Sequence, residues 1–224
     1  IGAGLHINGR LSGSGLASET NAVLVSYAFS MSLLLGFVSD HTDSTWGDYL
    51  CTAAGVISVL VMIAILANHL LTLGRRTNDV VMPSQWLIIG GLALPLIMCA
   101  ADFVLDLHDA ILESMEILPM LASGLAVALY VAPFAAGTPL WSRTLAGTTV
   151  FMTFVTLSPI GIEGEARASM GDTAMLTVLF AASIVPILAA ASNVLQTTRS
   201  NWGKASSNPA ATAVLIGMIM TVGS

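Results

Sequence analysis

Apolar residues gather along the chain into blocks of about 15 to 25 residues, separated by short polar connectors. A helix needs about 20 apolar residues to cross the hydrocarbon core of a bilayer, so blocks of this length predict membrane-spanning helices. Seven blocks are present, at about 21–38, 50–74, 86–107, 119–136, 145–162, 174–195 and 209–223. The pattern therefore predicts an all-α, multi-pass helix bundle forming one transmembrane domain over residues 21–224.

The two ends of the chain depart from this pattern. Residues 1–20 are rich in Gly and Ser and contain no long apolar run, so they are predicted to be a flexible N-terminal segment. The last block has only about 15 residues, so either the bilayer is thinned around it or the chain continues beyond Ser224. No internal repeat is evident in the sequence.

Composition supports a membrane protein. Of the 224 residues, 55% are hydrophobic and only 9% are charged, whereas a soluble domain carries about 25% charged residues. A net charge of -6 excludes the nucleic-acid-binding class. The two cysteines, Cys51 and Cys99, make no metal or disulfide framework. The lipid bilayer is therefore the predicted surroundings of the chain.

Charge divides unequally between the two sides predicted by seven spans. The N-terminal side holds six of the seven basic residues, namely Arg10, Arg75, Arg76, Arg143, Arg199 and Lys204, while the opposite side holds eleven of the thirteen acidic residues. Lys and Arg in short connectors favour the cytoplasm. The N-terminus is therefore predicted to be cytoplasmic, and the acidic connectors and the C-terminus exoplasmic. All four tryptophans fall at or just outside a predicted helix start, as expected at a membrane interface.

An acidic segment follows the third block. Its carboxylates are spaced four, three, four and three residues apart, so on a continuous helix they would form one stripe: Asp102, Asp106, Asp109, Glu113 and Glu116. We expect an amphipathic helix between the third and fourth spans, ended or redirected at Pro119. The stripe could collect cations or pass protons at the outer mouth of a path, or it could be the wet face of an interfacial helix.

Histidines offer a weaker candidate site. His41 with Asp40 and Asp43, and His108 with Asp106 and Asp109, could converge on a divalent cation, although there is no HxxxH or HExxH spacing. The alternative is that both are solvated connector residues. The topology puts His69 and His108 on opposite membrane faces, which disfavours a haem shared by these two residues.

Hydroxyl and proline residues suggest two further features. Thr149, Thr153 and Thr156 face one way on a helix and could line a polar path or bind a neighbouring helix. Pro95 and Pro186 interrupt the third and sixth blocks near their middle, where they could act as hinges or be ordinary kinks.

Three functions remain open at this stage. No nucleophile elbow, phosphate-binding loop or CxxC motif is present, so the sequence gives no positive sign of an enzyme. The leading hypothesis is movement of a proton, another cation or a cationic small solute through the bundle, with the acidic stripe as vestibule. The alternative is a non-catalytic subunit of a larger respiratory or photosynthetic membrane complex. A seven-helix photoreceptor is the weaker alternative, because no lysine lies within a predicted span and Lys204 precedes the last one.

Overall fold

The computed structural model describes residues 2–42, 45–105, 109–156 and 173–223, and within these ranges it leaves out the side chains of residues 101–105, 109–117, 156, 173–180, 183 and 221–223. The described residues form helices and contain no strand, so the all-α prediction is confirmed. The helices are α1 Gly2–Ser12, α2 Glu19–Asp40, α3 Thr45–Gly74, α4 Pro83–Leu105, α5 Asp109–Ala136, α6 Arg143–Thr156, α7 Thr173–Arg199, α8 Trp202–Ser206 and α9 Pro209–Gly223.

Four of the helices in the described ranges are long and apolar enough to cross a membrane: α2, α3, the Pro83–Ala100 part of α4 and the Leu118–Ala136 part of α5. The shorter apolar stretch Pro209–Met220 lies in α9. Membrane-length helices are thus confirmed for four of the predicted blocks. The tryptophans lie where the sequence predicts them, since Trp46, Trp86, Trp141 and Trp202 are each near a helix start and more than half exposed.

The chain forms two compact units, Ile1–Val81 and Met82–Ser224, where the sequence predicted a single domain after residue 20. In the first unit, α2 and α3 form an antiparallel hairpin. The buried residues of α2 are Val25, Ser32 and Ser39, and those of α3 include Gly47, Ala54, Val61 and Asn68. Both sets repeat every seven residues, the spacing of helices that pack along a narrow left-handed seam.

The N-terminal segment, predicted to be flexible, contains the helix α1. Leu5, Ile7, Asn8, Gly9 and Ser12 are buried in it, and α1 lies against α3. Its Gly and Ser residues are poor helix formers, so packing of this face stabilises the helix more than local propensity does. Carbonyl groups at its end accept hydrogen bonds from the segment after α3, because Thr77 N donates to Ser12 O at 2.9 Å and Asn78 Nδ2 to Leu11 O at 2.6 Å.

The second unit is built around α5, which contacts α4, α7 and α9. Small residues allow close packing: a Cβ added at Gly91 of α4 would lie 2.7 Å from Ala122 Cβ of α5. Further along α5, Ala128 and Ala132 pack with Val194 of α7 and Leu215 of α9. These contacts form the apolar core of the unit.

The acidic segment differs from its predicted form. Its last three acids, from Asp109 onwards, lie on the first turns of α5, which continues through Pro119 as one helix of 28 residues. Of the two alternatives predicted for Pro119, that the helix ends there or is redirected there, the first is therefore wrong, and a separate acidic helix is not confirmed. Proline is tolerated inside apolar helices because neighbouring groups can satisfy the freed carbonyl.

Candidate functional site

A buried polar pair joins α1 to α3 in the first unit. Asn8 and His69 are each only 1% exposed. The Asn8 side-chain amide lies 3.0 Å from His69 Nδ1 and donates to the His69 backbone carbonyl at 3.0 Å. His69 lies inside a membrane-length helix, where an ionisable residue marks a functional site by default. This pair is the strongest candidate site in the described part of the chain.

The hydrogen bonds define the state of the imidazole. An amide nitrogen can only donate, so His69 Nδ1 accepts, and the neutral ring carries its hydrogen on Nε2. Turning the Asn8 amide over would place Oδ1 against the His69 carbonyl oxygen, which is repulsive. Ser12 Oγ donates to Asn8 Oδ1 at 3.4 Å and extends the pair along α1. A histidine that binds a metal usually donates its other ring hydrogen to an acceptor, so this arrangement favours proton chemistry over metal ligation at His69.

Another set of hydrogen bonds joins the start of α2 to the end of α3 through Ser18, Asn68 and Thr72. We call this set the first clasp. Asn68 Oδ1 accepts from Ser18 N at 3.3 Å, and Asn68 Nδ2 donates to Ser18 O at 2.9 Å. Thr72 Oγ1 accepts from Ala17 N at 3.0 Å and donates to Asn68 O at 2.7 Å. Ser18 Oγ caps α2 by accepting from Asn21 N at 3.1 Å. The clasp therefore satisfies backbone groups that the helix start would leave unpaired.

The second unit contains a corresponding arrangement, the second clasp, formed by Ser142, Asn193 and Thr197. Asn193 Oδ1 accepts from Ser142 N at 3.2 Å, and Asn193 Nδ2 donates to Ser142 O at 2.8 Å. Thr197 Oγ1 accepts from Trp141 N at 3.0 Å and donates to Asn193 O at 2.7 Å. Ser142 Oγ accepts from Leu145 N at 3.1 Å at the start of α6. The start of α6 is thus fixed to the end of α7.

A basic side chain lies beside the first clasp, and another lies beside the glycine that precedes the second. Arg75 donates from Nη1 to Ala17 O at 3.2 Å, next to Ser18. In the second unit, Lys204 lies over Gly137, where an added Cβ would be 2.5 Å from its Nζ. A positive charge at the C-terminal end of a helix is favourable, so Lys204 suits its place beside the end of α5. Lys204 belongs to the short helix α8 and is exposed.

The carboxylates of the predicted stripe occupy two helices. Asp102 lies near the end of α4, and Asp109, Glu113 and Glu116 lie in the first turns of α5, with their side chains outside the described set. Asp106 lies outside the described residues altogether. The stripe therefore stays a prediction.

The predicted metal ligands are also only partly placed. His41 follows α2, and its Nδ1 donates to Phe37 O at 2.8 Å, an orientation that suits a ligating histidine because Nε2 keeps its lone pair. The other three candidates, Asp43, Asp106 and His108, lie outside the described residues. Within the described ranges, no three His, Cys, Asp or Glu side chains are grouped so that they could hold a metal ion.

The threonine and proline candidates lie on helices, as predicted. Thr149 and Thr153 are fully buried on α6, and their hydroxyls donate to the carbonyls four residues earlier, at 3.0 and 2.7 Å. Thr156 is the last residue of α6, and its side chain is not described. Pro95 and Pro186 are buried inside α4 and α7. The threonine hydroxyls are thus satisfied within their own helix.

Sequence reasoning passed over Asn8, Asn68 and Asn193 and gave His69 no role beyond the haem argument. One signal was available. The pattern G-x-x-L-x-S occurs at residues 13–18 and again at 137–142, and N-x-x-x-T occurs near the end of α3 and again near the end of α7. Paired short patterns at such similar spacing indicate repeated backbone geometry.

The chain matches no protein-family model, no curated protein and no solved structure. Fold and site therefore define its class: an all-helical protein with membrane-length helices, one of which is joined to the short helix α1 by a buried asparagine–histidine pair.

Proposed function

We propose that the protein moves a proton, another cation or a small cationic solute across a membrane. The observation that supports this most directly is His69, a buried ionisable side chain in an apolar helix of 30 residues. Burying a titratable ring in such a helix is unfavourable unless it has a hydrogen-bond partner, and such a residue commonly has a functional role. Asn8 supplies the hydrogen-bond partner, and reversible binding of a proton is the role proposed for the imidazole.

The wider arrangement is taken from the sequence. We propose seven spans with a cytoplasmic N-terminus, so that the acidic connectors face outwards. The stripe Asp102, Asp106, Asp109, Glu113 and Glu116 would then concentrate cations at the outer mouth, and Pro95 and Pro186 would let α4 and α7 bend. Asp102 would be the deepest carboxylate of this vestibule.

Flux through proteoliposomes tests the proposal. Protein is reconstituted with a pH-sensitive dye inside the vesicles, and a potential of known sign is applied. Asp102→Asn is expected to lower the rate and to change its pH dependence, whereas Asp79→Asn, on the predicted cytoplasmic side, is expected to leave both unchanged. Equal rates and equal pH profiles for Asp102→Asn and the unchanged protein would contradict the role given to Asp102. Wild-type vesicles no more permeable than empty ones to protons and small cations would contradict transport itself.

A second candidate function is supported by exposed apolar surface. Only 11% of the most apolar window of α2 and 17% of that of α3 are buried within the chain. Lipid covers such a surface, and so would neighbouring subunits of a larger membrane complex. Native electrophoresis of the source membrane, solubilised in a mild detergent, distinguishes the two: a band near the mass of the chain with its bound detergent favours an independent transporter, and a larger defined assembly favours a subunit.

A further inference from the structure

The two clasps use the same atoms of the same residue types. In each clasp, an Asn side chain binds both the N–H and the C=O of a Ser, a Thr hydroxyl accepts from the residue before that Ser, and the Ser hydroxyl caps the next helix. The Ser and Asn are 50 residues apart in the first clasp and 51 apart in the second. Such agreement in atoms, order and spacing goes beyond the general tendency of Ser and Asn to bind helix ends.

The surroundings of the clasps agree as well. Five residues before each Ser, a glycine with positive φ follows a helix: Gly13 at 73° after α1 and Gly137 at 67° after α5. In each module, an asparagine that follows the N-x-x-x-T pattern donates to a carbonyl at the end of the helix before the glycine. Asn78 donates to Leu11 O of α1 at 2.6 Å, and Asn201 donates to Ala136 O of α5 at 3.0 Å. We infer that the chain contains one three-helix module twice, as α1–α3 and as the end of α5 with α6 and α7.

The two modules differ at one pair of corresponding positions. Asn8 lies five residues before Gly13, and Ala132 lies five residues before Gly137; His69 follows the first clasp Asn, and Val194 follows the second. Ala132 and Val194 are buried in one apolar cluster of the second unit. The first module thus has a hydrogen-bonded polar pair where the second has an apolar contact.

An apolar pair at this place is sufficient for the module to fold, as the second copy demonstrates. The polar pair gains no packing over it and removes polar groups from water, which is favourable only while every hydrogen bond is kept. Its presence in the first module therefore calls for a chemical reason. Resting on the transport function proposed above, we propose that Asn8 and His69 form a proton-binding site that the first module has and the second lacks.

The hydrogen bonds of the pair indicate where a proton would bind. The lone pair of His69 is on Nδ1, where it accepts the N–H of Asn8, so an incoming proton attaches there, adds one positive charge and breaks no covalent bond. The proton takes the place of the Asn8 N–H at Nδ1, while Asn8 Nδ2 keeps its second hydrogen bond, to the His69 backbone carbonyl. Release of the proton from Nε2 then completes a transfer through the ring.

The described charged groups of α1, α2 and α3 are exposed, and no hydrogen bond joins any of them to the ring. The described ones on the three helices are His6 and Arg10 on α1, Glu19 and Asp40 on α2, and Asp48 on α3, with Arg75 and Arg76 just beyond α3. Among the described residues, the hydrogen-bond partner of the imidazole is the Asn8 amide.

The experiment replaces the polar pair of the first module by the apolar pair of the second. The double variant Asn8→Ala, His69→Val is compared with the unchanged full chain in two measurements. The first is imidazole ¹⁵N NMR of histidine-labelled protein, in which the signal lost in the double variant identifies His69. A hydrogen on Nε2 at high pH and a doubly protonated ring at low pH are expected. A His69 ring that stays neutral at every pH at which the protein remains folded would overturn the proposal.

The second measurement is proton flux in proteoliposomes. The double variant is expected to keep its thermal unfolding temperature and to lose flux about a hundredfold, the lower range for a positioned proton-transfer group. Loss of the folded state would make the pair structural and overturn the proposal, as would unchanged flux in the variant when the unchanged protein transports. If the unchanged protein carries no proton flux while His69 titrates, the transport function fails but the proton-binding site stands.

Discussion

Asn193 binds both the backbone N–H and the backbone C=O of Ser142, with Oδ1 3.2 Å from Ser142 N and Nδ2 2.8 Å from Ser142 O. One side chain thereby satisfies a donor and an acceptor of a segment 51 residues away. Both residues lie where α6 starts and α7 approaches its end, so the bond fixes the relative position of two helices in the second unit. Asn68 does the same for Ser18 in the first.

Replacing the clasp asparagine should destabilise each unit by a similar amount. Asn193→Leu and Asn68→Leu each leave a backbone N–H and C=O without a partner, and we expect a loss of about 1 to 3 kcal/mol per variant. Thermal or denaturant unfolding in detergent, followed by circular dichroism, measures it. Gln196→Leu on the exposed side of α7 is the control and should change little. If Asn193→Leu unfolds like Gln196→Leu, the clasp contributes no stability.

The threonines of α6 should tolerate loss of their hydroxyls. Thr153→Val removes a donor to a carbonyl that is already within a helix, so we expect a change below about 1 kcal/mol and an unchanged flux. Thr197→Val is the contrast, because its hydroxyl also accepts from Trp141 N and its loss orphans that donor. A marked fall in flux for Thr153→Val, with stability retained, would instead assign this row to a polar path.

Gly137 should resist substitution by alanine. Its φ of 67° is unfavourable for a residue with a Cβ, and that Cβ would also displace the flexible end of the Lys204 side chain. We expect Gly137→Ala to lower stability by about 1 kcal/mol or more. Gly147→Ala, inside α6 with open space around it, should raise stability slightly because alanine favours helix. Unfolding midpoints of the two variants should therefore move in opposite directions.

Single cysteines should report the proposed topology. In a background of Cys51→Ala and Cys99→Ala, cysteine is placed at Ser14 or Ser207, on the predicted cytoplasmic side, or at Asp40, on the predicted outer side; all three positions are exposed. A membrane-impermeant maleimide added to intact cells should label only the Asp40→Cys variant. Labelling of Ser14→Cys or Ser207→Cys without permeabilisation would contradict the seven-span arrangement.

Apolar pattern predicted the long helices well because burial in lipid requires a continuous run of apolar residues. The predicted block 209–223 coincides with α9, and the block 50–74 lies within α3. Helix α1 was not predictable in this way, since its sequence is rich in glycine and its helix depends on contacts with α3. The continuation of α5 through Pro119 likewise depends on its neighbours in the second unit.

The site was harder to predict because its partners are distant in sequence. Asn8 and His69 are 61 residues apart, and nothing local in either segment indicates the other. In the sequence, Asn68 is a polar residue that interrupts an apolar block, although its hydrogen bonds to Ser18 hold α2 against α3. Only comparison of the two G-x-x-L-x-S segments would have drawn attention to the asparagines that bind them.

The seven-residue spacing of buried positions in α2 and α3 has a consequence for pairing. A narrow seam of small residues such as Ser32, Gly47 and Ala54 would allow one helix to slide along the other by a whole heptad with little loss of contact. Asn68 lies on this seam, and its two bonds to Ser18 exist in one alignment alone. As with a lone asparagine in a coiled-coil interface, it therefore selects the register in which α2 pairs with α3.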